Sequence, residues 1–144
     1  MIKAHQVKTS ASPGSDFKEV YPPARKLYNR IKAQTKRQPY VRSKYFRNDK
    51  VFIELFWVHL NQKSQKERRK RLKFYACAIE LLRETRLEPS TKPSLKRNAE
   101  LFHRFAGVTQ KNELFYVQIK ENTRTKRRIL CLFSPRNKKG LPQV

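Results

Sequence analysis

Leu114-Phe115-Tyr116-Val117-Gln118-Ile119-Lys120 is the stretch on which the fold of this chain turns. Apolar and polar residues alternate along it, and a period of two marks a strand with one buried face. Phe115, Val117 and Ile119 then point toward a core, while Tyr116, Gln118 and Lys120 share the opposite face. Upstream, Leu101-Phe102-His103-Arg104-Phe105-Ala106 has the same period, and Thr109-Gln110-Lys111-Asn112 supplies a hairpin loop between the two. Downstream, Glu121-Asn122-Thr123-Arg124-Thr125-Lys126 reads as a second loop. It leads into Ile129-Leu130-Cys131-Leu132-Phe133, which is apolar on both faces and so predicts a central or helix-covered strand.

Ahead of this meander the period becomes helical. Asn48 or Asp49 can cap a helix over residues 50–62, where Val51, Phe52, Leu55, Phe56 and Leu60 fall at helical spacing. Ser64-Gln65-Lys66-Glu67 has the form of a capping box and predicts a second helix to about residue 86, with Leu72, Tyr75, Ala76, Ile79 and Leu82 on one face. Pro89 and Pro93 end it. The expected fold class is α+β: a helical hairpin packed on a three- to four-stranded antiparallel sheet, with a mobile basic N-terminal arm. Residues 1–20 mix Ser, Thr, Gly, Pro and Lys without periodicity and read as the disordered arm. Residues 21–47 read as a peripheral basic helix opened by Pro22-Pro23 and an extended linker through Pro39-Tyr40-Val41, residues 48–136 as the α+β domain, and 137–144 as a C-terminal tail.

Charge speaks about partners. The 144 residues carry 35 Lys+Arg against 11 Asp+Glu, a formal charge of +24, and such self-repulsion calls for a polyanion or an acidic partner. Nine Phe, six Tyr and one Trp supply too much apolar material for a wholly disordered tail. Cys77 and Cys131 lack the density of a disulfide-stapled fold and read as free thiols. The first residues lack the apolar run of a signal peptide and no stretch approaches a membrane span, so the expectation is a cytoplasmic protein with no membrane partner. RNA is the expected partner, with DNA as the alternative.

The exposed sheet face would carry the chemistry. Arg104 or His103, Tyr116, Gln118, Lys120, Arg127 or Arg128, and Ser134 interleave cations with hydrogen-bonding and aromatic groups. Arg124 lies in the adjoining loop, and Arg68, Arg69 and Arg71 stand in a basic run that reads as a phosphate track or a solvated helix face. No metal or cofactor is expected: His5, His59 and His103 are far apart, Asp16 and Asp49 are the only aspartates, and no phosphate-binding glycine loop exists. Gln118-Ile119-Lys120 resembles the Gln-containing variant of the Glu-x-Lys element of restriction-type nucleases, but the aspartate on a preceding strand is missing. Metal-free RNA cleavage needs a base, a proton donor and cations for the pentavalent phosphate. The candidate catalytic set is His103, Tyr116, Lys120 and Arg128, with Arg104 as a further clamp and His59 as a second proton-transfer candidate.

Two helices followed by Phe102-His103-Arg104-Phe105, Phe115-Tyr116-Val117-Gln118-Ile119-Lys120 and Arg128-Ile129-Leu130-Cys131-Leu132-Phe133 resemble the RelE/ParE-type toxin fold, within the barnase, EndoU, colicin and RelE-like group of metal-independent ribonucleases. That resemblance implies a toxin or phage-type ribonuclease, with an arginine and a histidine or tyrosine on the sheet. It also implies an acidic antitoxin or immunity protein as partner. The chain departs from the common RelE pattern in lacking a clear first strand and the arginine-rich strand ending. The competing expectations are a non-catalytic RNA- or DNA-binding module and a basic protein-interaction module.

Overall fold

The alternating stretches form strands. Glu100–Val108, Leu114–Asn122 and Arg128–Pro135 pair antiparallel in succession, with Phe115, Val117 and Ile119 fully buried as their spacing predicts. The computed structural model describes residues 3–135, and side chains through residue 131. In chain order its elements are β1 (Ala4–Gln6), α1 (Phe17–Gln34), β2 (Tyr40–Ser43), β3 (Asp49–Phe52), α2 (Glu54–Leu60), α3 (Gln65–Lys73), α4 (Tyr75–Glu84), β4 (Ser90–Pro93), β5 (Glu100–Val108), β6 (Leu114–Asn122) and β7 (Arg128–Pro135).

The sheet is larger than a three- to four-stranded antiparallel one, and the predicted fold class is corrected accordingly. Seven strands form a mixed, strongly curled half-barrel in the order β1-β5-β6-β7-β3-β2, with β4 sharing the outer edge of β5 with β1. Two pairings are parallel, β1 with β5 and β3 with β7. β7 therefore lies between β6 and β3, a central position that suits a strand apolar on both faces.

The helical hairpin expected over residues 50–86 is also corrected. Arg47 and Asn48 adopt left-handed backbone (φ 57° and 65°), closing a β2–β3 hairpin where a helix cap was expected. Asn tolerates that region well. Val51 and Phe52 fit a helical stripe and a strand equally, and pairing with β2 and β7 decides for strand. Ser64 does cap a helix, its Oγ accepting from the Glu67 amide at 3.3 Å. That helix breaks at Phe74 (φ −102°, ψ 8°), so α3 and α4 are separate elements.

The N-terminal arm is part of the fold rather than mobile. Val7 is fully buried, and its amide donates to the Val108 carbonyl at 2.9 Å. The Glu80 carboxylate accepts from the amides of Lys8 (2.7 Å) and Thr9 (2.9 Å) and from the Thr9 hydroxyl. Helix α1 begins at Phe17, ahead of Pro22-Pro23, with the Glu19 carboxylate accepting from the Ser15 and Asp16 amides that lead into it and the Glu19 amide donating to the Asp16 carbonyl. Its buried face, Val20, Ala24, Tyr28 and Ile31, docks through Tyr28 against Trp57 with ring centroids 5.2 Å apart. One core thus runs from Val7 to Leu130, covering a single face of the sheet. The 137–144 tail lies outside the described residues. Among the described residues no helix is long and apolar enough to cross a membrane.

Two consequences are measurable. A Cβ at Gly107 would lie 2.5 Å from Cζ of the buried Phe115 ring, so Gly107→Ala should lower unfolding free energy by about 1–3 kcal/mol in urea titration. Burial alone would raise the Glu80 carboxyl, but the Thr9 hydroxyl and the two amides outweigh it and hold it below the ordinary glutamate range. The folded-state pKa lies below the unfolded one, so this stabilisation is present above the unfolded value and is lost as pH falls through the folded one. Glu80→Gln should accordingly be less stable than the parent at neutral pH, with the gap closing below about pH 4 in melts across a pH series.

Candidate nucleic-acid interface

With one sheet face under the helices, the register dictates what the other presents. Lys92 of β4 stands beside Phe102 of β5, Phe102 beside Lys120 of β6, Lys120 beside Ile129 of β7, Ile129 beside Phe52 of β3, and Phe52 beside Tyr40 of β2. This single cross-strand row traverses six strands, roughly 24 Å at about 4.8 Å per step. Cations and flat or apolar side chains share it. Next to it, Arg127 lies over the Phe52 ring at 4.1 Å, Lys50 over Tyr40 at 4.7 Å and Arg42 over Tyr40 at 5.5 Å. The Tyr40 and Phe52 rings meet edge-on at 6.1 Å. Arg127 also donates to Gln38.

At the β4 end of the row the face deepens into a cavity of about 750 Å³. Its floor is Phe102, Arg104, Gln118, Lys120 and Cys131, and its wall is the chain from Pro93 to Arg97. The wall is held in shape by the Ser94 amide donating to Glu100 O at 2.9 Å, and by Ser94 Oγ accepting from the Lys96 and Arg97 amides, each at 3.2 Å. Lys92, Lys96, Arg97, Arg104 and Lys120 line the cavity against one carboxylate, Glu100. Arg104 donates to Gln118 Oε1 at 3.1 Å, and burial lowers the pKa of its guanidinium. Cys131 is the extra residue where the β6–β7 register shifts, and burial raises its thiol, which disfavours the nucleophilic thiolate. The other thiol, Cys77, is pushed up to about 12 by burial and donates to the Thr9 carbonyl at 3.3 Å.

The sheet divides the predicted catalytic set. Tyr116 and Lys120 belong to the open side with Arg104 and Gln118, although Tyr116 is itself buried. His103 and Arg128 face the helices. There, His103 Nε2 meets Glu121 Oε1 at 2.7 Å and its Nδ1 meets the Thr91 hydroxyl at 2.8 Å. Arg128 donates to Glu121 (3.4 Å) and to Asp49 (2.9 Å) and stacks over Phe46 at 4.2 Å. Thr91, His103, Glu121, Arg128 and Asp49 come from β4, β5, β6, β7 and β3, so this polar chain crosslinks five adjacent strands. His103 and Glu121 are buried within it. Both nitrogens of the His103 ring are thus engaged within the sheet.

The remaining predicted residues scatter. Arg68 donates to the carbonyls of Lys63 (2.9 Å) and Asn61 (2.8 Å) and fastens the α2–α3 connection. Arg71 is buried beside Glu67 at 3.6 Å, and burial lowers its pKa. Arg69 is half-buried on α3, Arg124 is exposed in the β6–β7 turn, and His59 Nδ1 meets the Cys131 carbonyl at 3.0 Å. The Ser134 backbone pairs with Tyr116, but its side chain lies outside the described residues. Tyr40, Arg42, Lys50, Phe52, Lys92 and Phe102 were not assigned to the interface by sequence. Their one local signal is period-two alternation in short segments on either side of the Arg47-Asn48 turn and along Phe102-His103-Arg104. Among the described residues no three His, Cys, Asp or Glu side chains gather as metal ligands.

No family model, curated protein or solved structure matches this chain.

The polar chain makes a graded prediction. Arg128→Ala leaves the buried Glu121 short of a cation and should cost roughly 3 kcal/mol of stability. Asp49 has a side chain 64% exposed, so Asp49→Asn should stay within about 1 kcal/mol in the same denaturation assay.

Proposed function

We propose that this protein binds single-stranded nucleic acid, RNA foremost, on the open face of its sheet, without cleaving it. The observation that carries the reading is the row Lys92-Phe102-Lys120-Ile129-Phe52-Tyr40, continuous across six strands by register. Unpaired bases stack on flat side chains irrespective of their identity, and interleaved cations take the phosphates, so such a surface holds a strand along its length. Tyr40, Phe52 and Phe102 are half-buried, so each is held in place and still partly accessible. The charge of +24 supplies the attractive field. Exposed Lys66 and Lys70 on α3, and Lys26 and Arg30 on α1, add to it from the helical side.

Cleavage, which the RelE-type resemblance implies, asks for a proton-transfer group beside the phosphate cations. His103 has the sheet between itself and Lys120, and both its ring nitrogens are engaged. With the predicted histidine held away from the cations, binding is the better supported reading, and cleavage would have to use the Glu100 carboxylate beside Lys120.

Fluorescence anisotropy with a labelled RNA of about eight nucleotides tests it across a salt series. The slope of log K against log salt should be near −3, as expected for about four neutralised phosphates on a single strand. Phe52→Ala and Phe102→Ala should each weaken binding by about 1–3 kcal/mol. RNA held with the protein in EDTA should stay intact. A salt slope near zero would remove nucleic acid as the partner and leave an acidic protein, while cleavage in EDTA would restore the ribonuclease reading.

A further inference from the structure

Within the cavity, Glu100, Phe102 and Arg104 follow one another on the same face of β5, each about 7 Å from the next along the strand. A base resting on the Phe102 ring therefore has a carboxylate toward one edge and a guanidinium toward the other. Glu100 is the group that needs explaining. Among the described residues it is the single acid beside five cations lining the cavity, and its side chain is 17% exposed. Among the described residues it has no hydrogen bond through its carboxylate, and its ion pair with Lys120 stands at 4.0 Å, the outer limit of such contact. Both carboxylate oxygens therefore keep acceptor capacity that a ligand entering the cavity can use. Arg104 has one amino group on Gln118 Oε1, which orients the guanidinium and leaves further N–H groups for a ligand.

We infer that this cavity reads guanine, with Glu100 accepting from its N1–H and N2 amino group while Arg104 donates to O6 and N7 over the Phe102 ring. The assignment rests on the single-strand binding reading above and adds a base preference to it. The chemistry discriminates sharply. A carboxylate only accepts, and guanine alone among the four bases presents two adjacent donors on one edge with two adjacent acceptors on the next. Adenine and cytosine each offer one amino donor beside an acceptor, and uracil offers one N–H between two carbonyls, so each sets an acceptor against the carboxylate. The remaining row, Ile129-Phe52-Tyr40, offers stacking without such an acceptor and donor pair, so the preference is confined to one nucleotide position.

The experiment measures the wild-type protein against uridine oligomers of about eight nucleotides that carry one central guanosine, adenosine, cytidine, inosine or 7-deazaguanosine. The guanosine oligomer should bind roughly tenfold more tightly than the adenosine, cytidine and all-uridine ones, the gain expected of a bidentate pair. Inosine, which lacks the N2 amino group, and 7-deazaguanosine, which lacks the N7 acceptor, should each lose a substantial part of that gain. In Glu100→Gln the ratio of guanosine to all-uridine affinity should fall to within about twofold. Salt-sensitive binding with guanosine no better than adenosine would overturn the guanine assignment and leave strand binding standing. No binding to any oligomer would overturn both. Undiminished guanosine preference in Glu100→Gln, or no loss with inosine in the wild-type protein, would remove Glu100 from the site; the inosine arm needs no variant to fold.

Discussion

Everything the open face presents depends on burying one side of β6. Phe115, Val117 and Ile119 are fully buried, and a strand with one face in the core has its register pinned, since a slip by one residue would turn every side chain over. Once those three point to the helices, Lys120 and Gln118 must point away. The neighbours inherit the choice: Phe102 and Arg104 on β5 and Ile129 on β7 stand beside them on the same side. Gly107 belongs to the same constraint, because only a residue without Cβ leaves room for the Phe115 ring.

Polar groups on the two faces are treated in opposite ways. Under the helices, where an unmet polar group is costly, His103, Glu121 and Arg128 engage one another and reach Thr91 and Asp49 at the strand edges. These groups hold strands together and have little left to offer a ligand. On the open side the engagement is partial. Glu100 and Lys120 are 4.0 Å apart, Arg104 is half committed to Gln118, and Arg127, Lys50 and Arg42 lie over the half-buried rings of Phe52 and Tyr40. Underused polar capacity beside flat rings is what a nucleic-acid surface requires.

Local patterns were enough for the meander. Alternation at residues 101–106 and 114–120 and the apolar run at 129–133 each carry their own evidence, because a half-buried strand writes its period into neighbouring residues. The cap at Ser64 is legible for the same reason. Short elements are different. Ala4–Gln6 and Asp49–Phe52 are too brief for alternation to decide between strand and other readings, and each is stabilised by a parallel partner far away in the chain, β5 and β7. Val51 and Phe52 satisfied a helical pattern equally well until that pairing excluded it.

Composition and period thus settled a basic chain with a β-meander and a cationic sheet face, because charge and alternation are properties of residues and their immediate neighbours. Which of His103 and Arg104 faces outward, on which side of the sheet Arg128 lies, and that Phe52 and Tyr40 continue the line begun by Lys92, Phe102 and Lys120 were decided only in three dimensions. Such questions turn on which strands become neighbours. Nonlocal pairing joins β3 to β7, and that one parallel contact extends a three-strand face into a continuous platform.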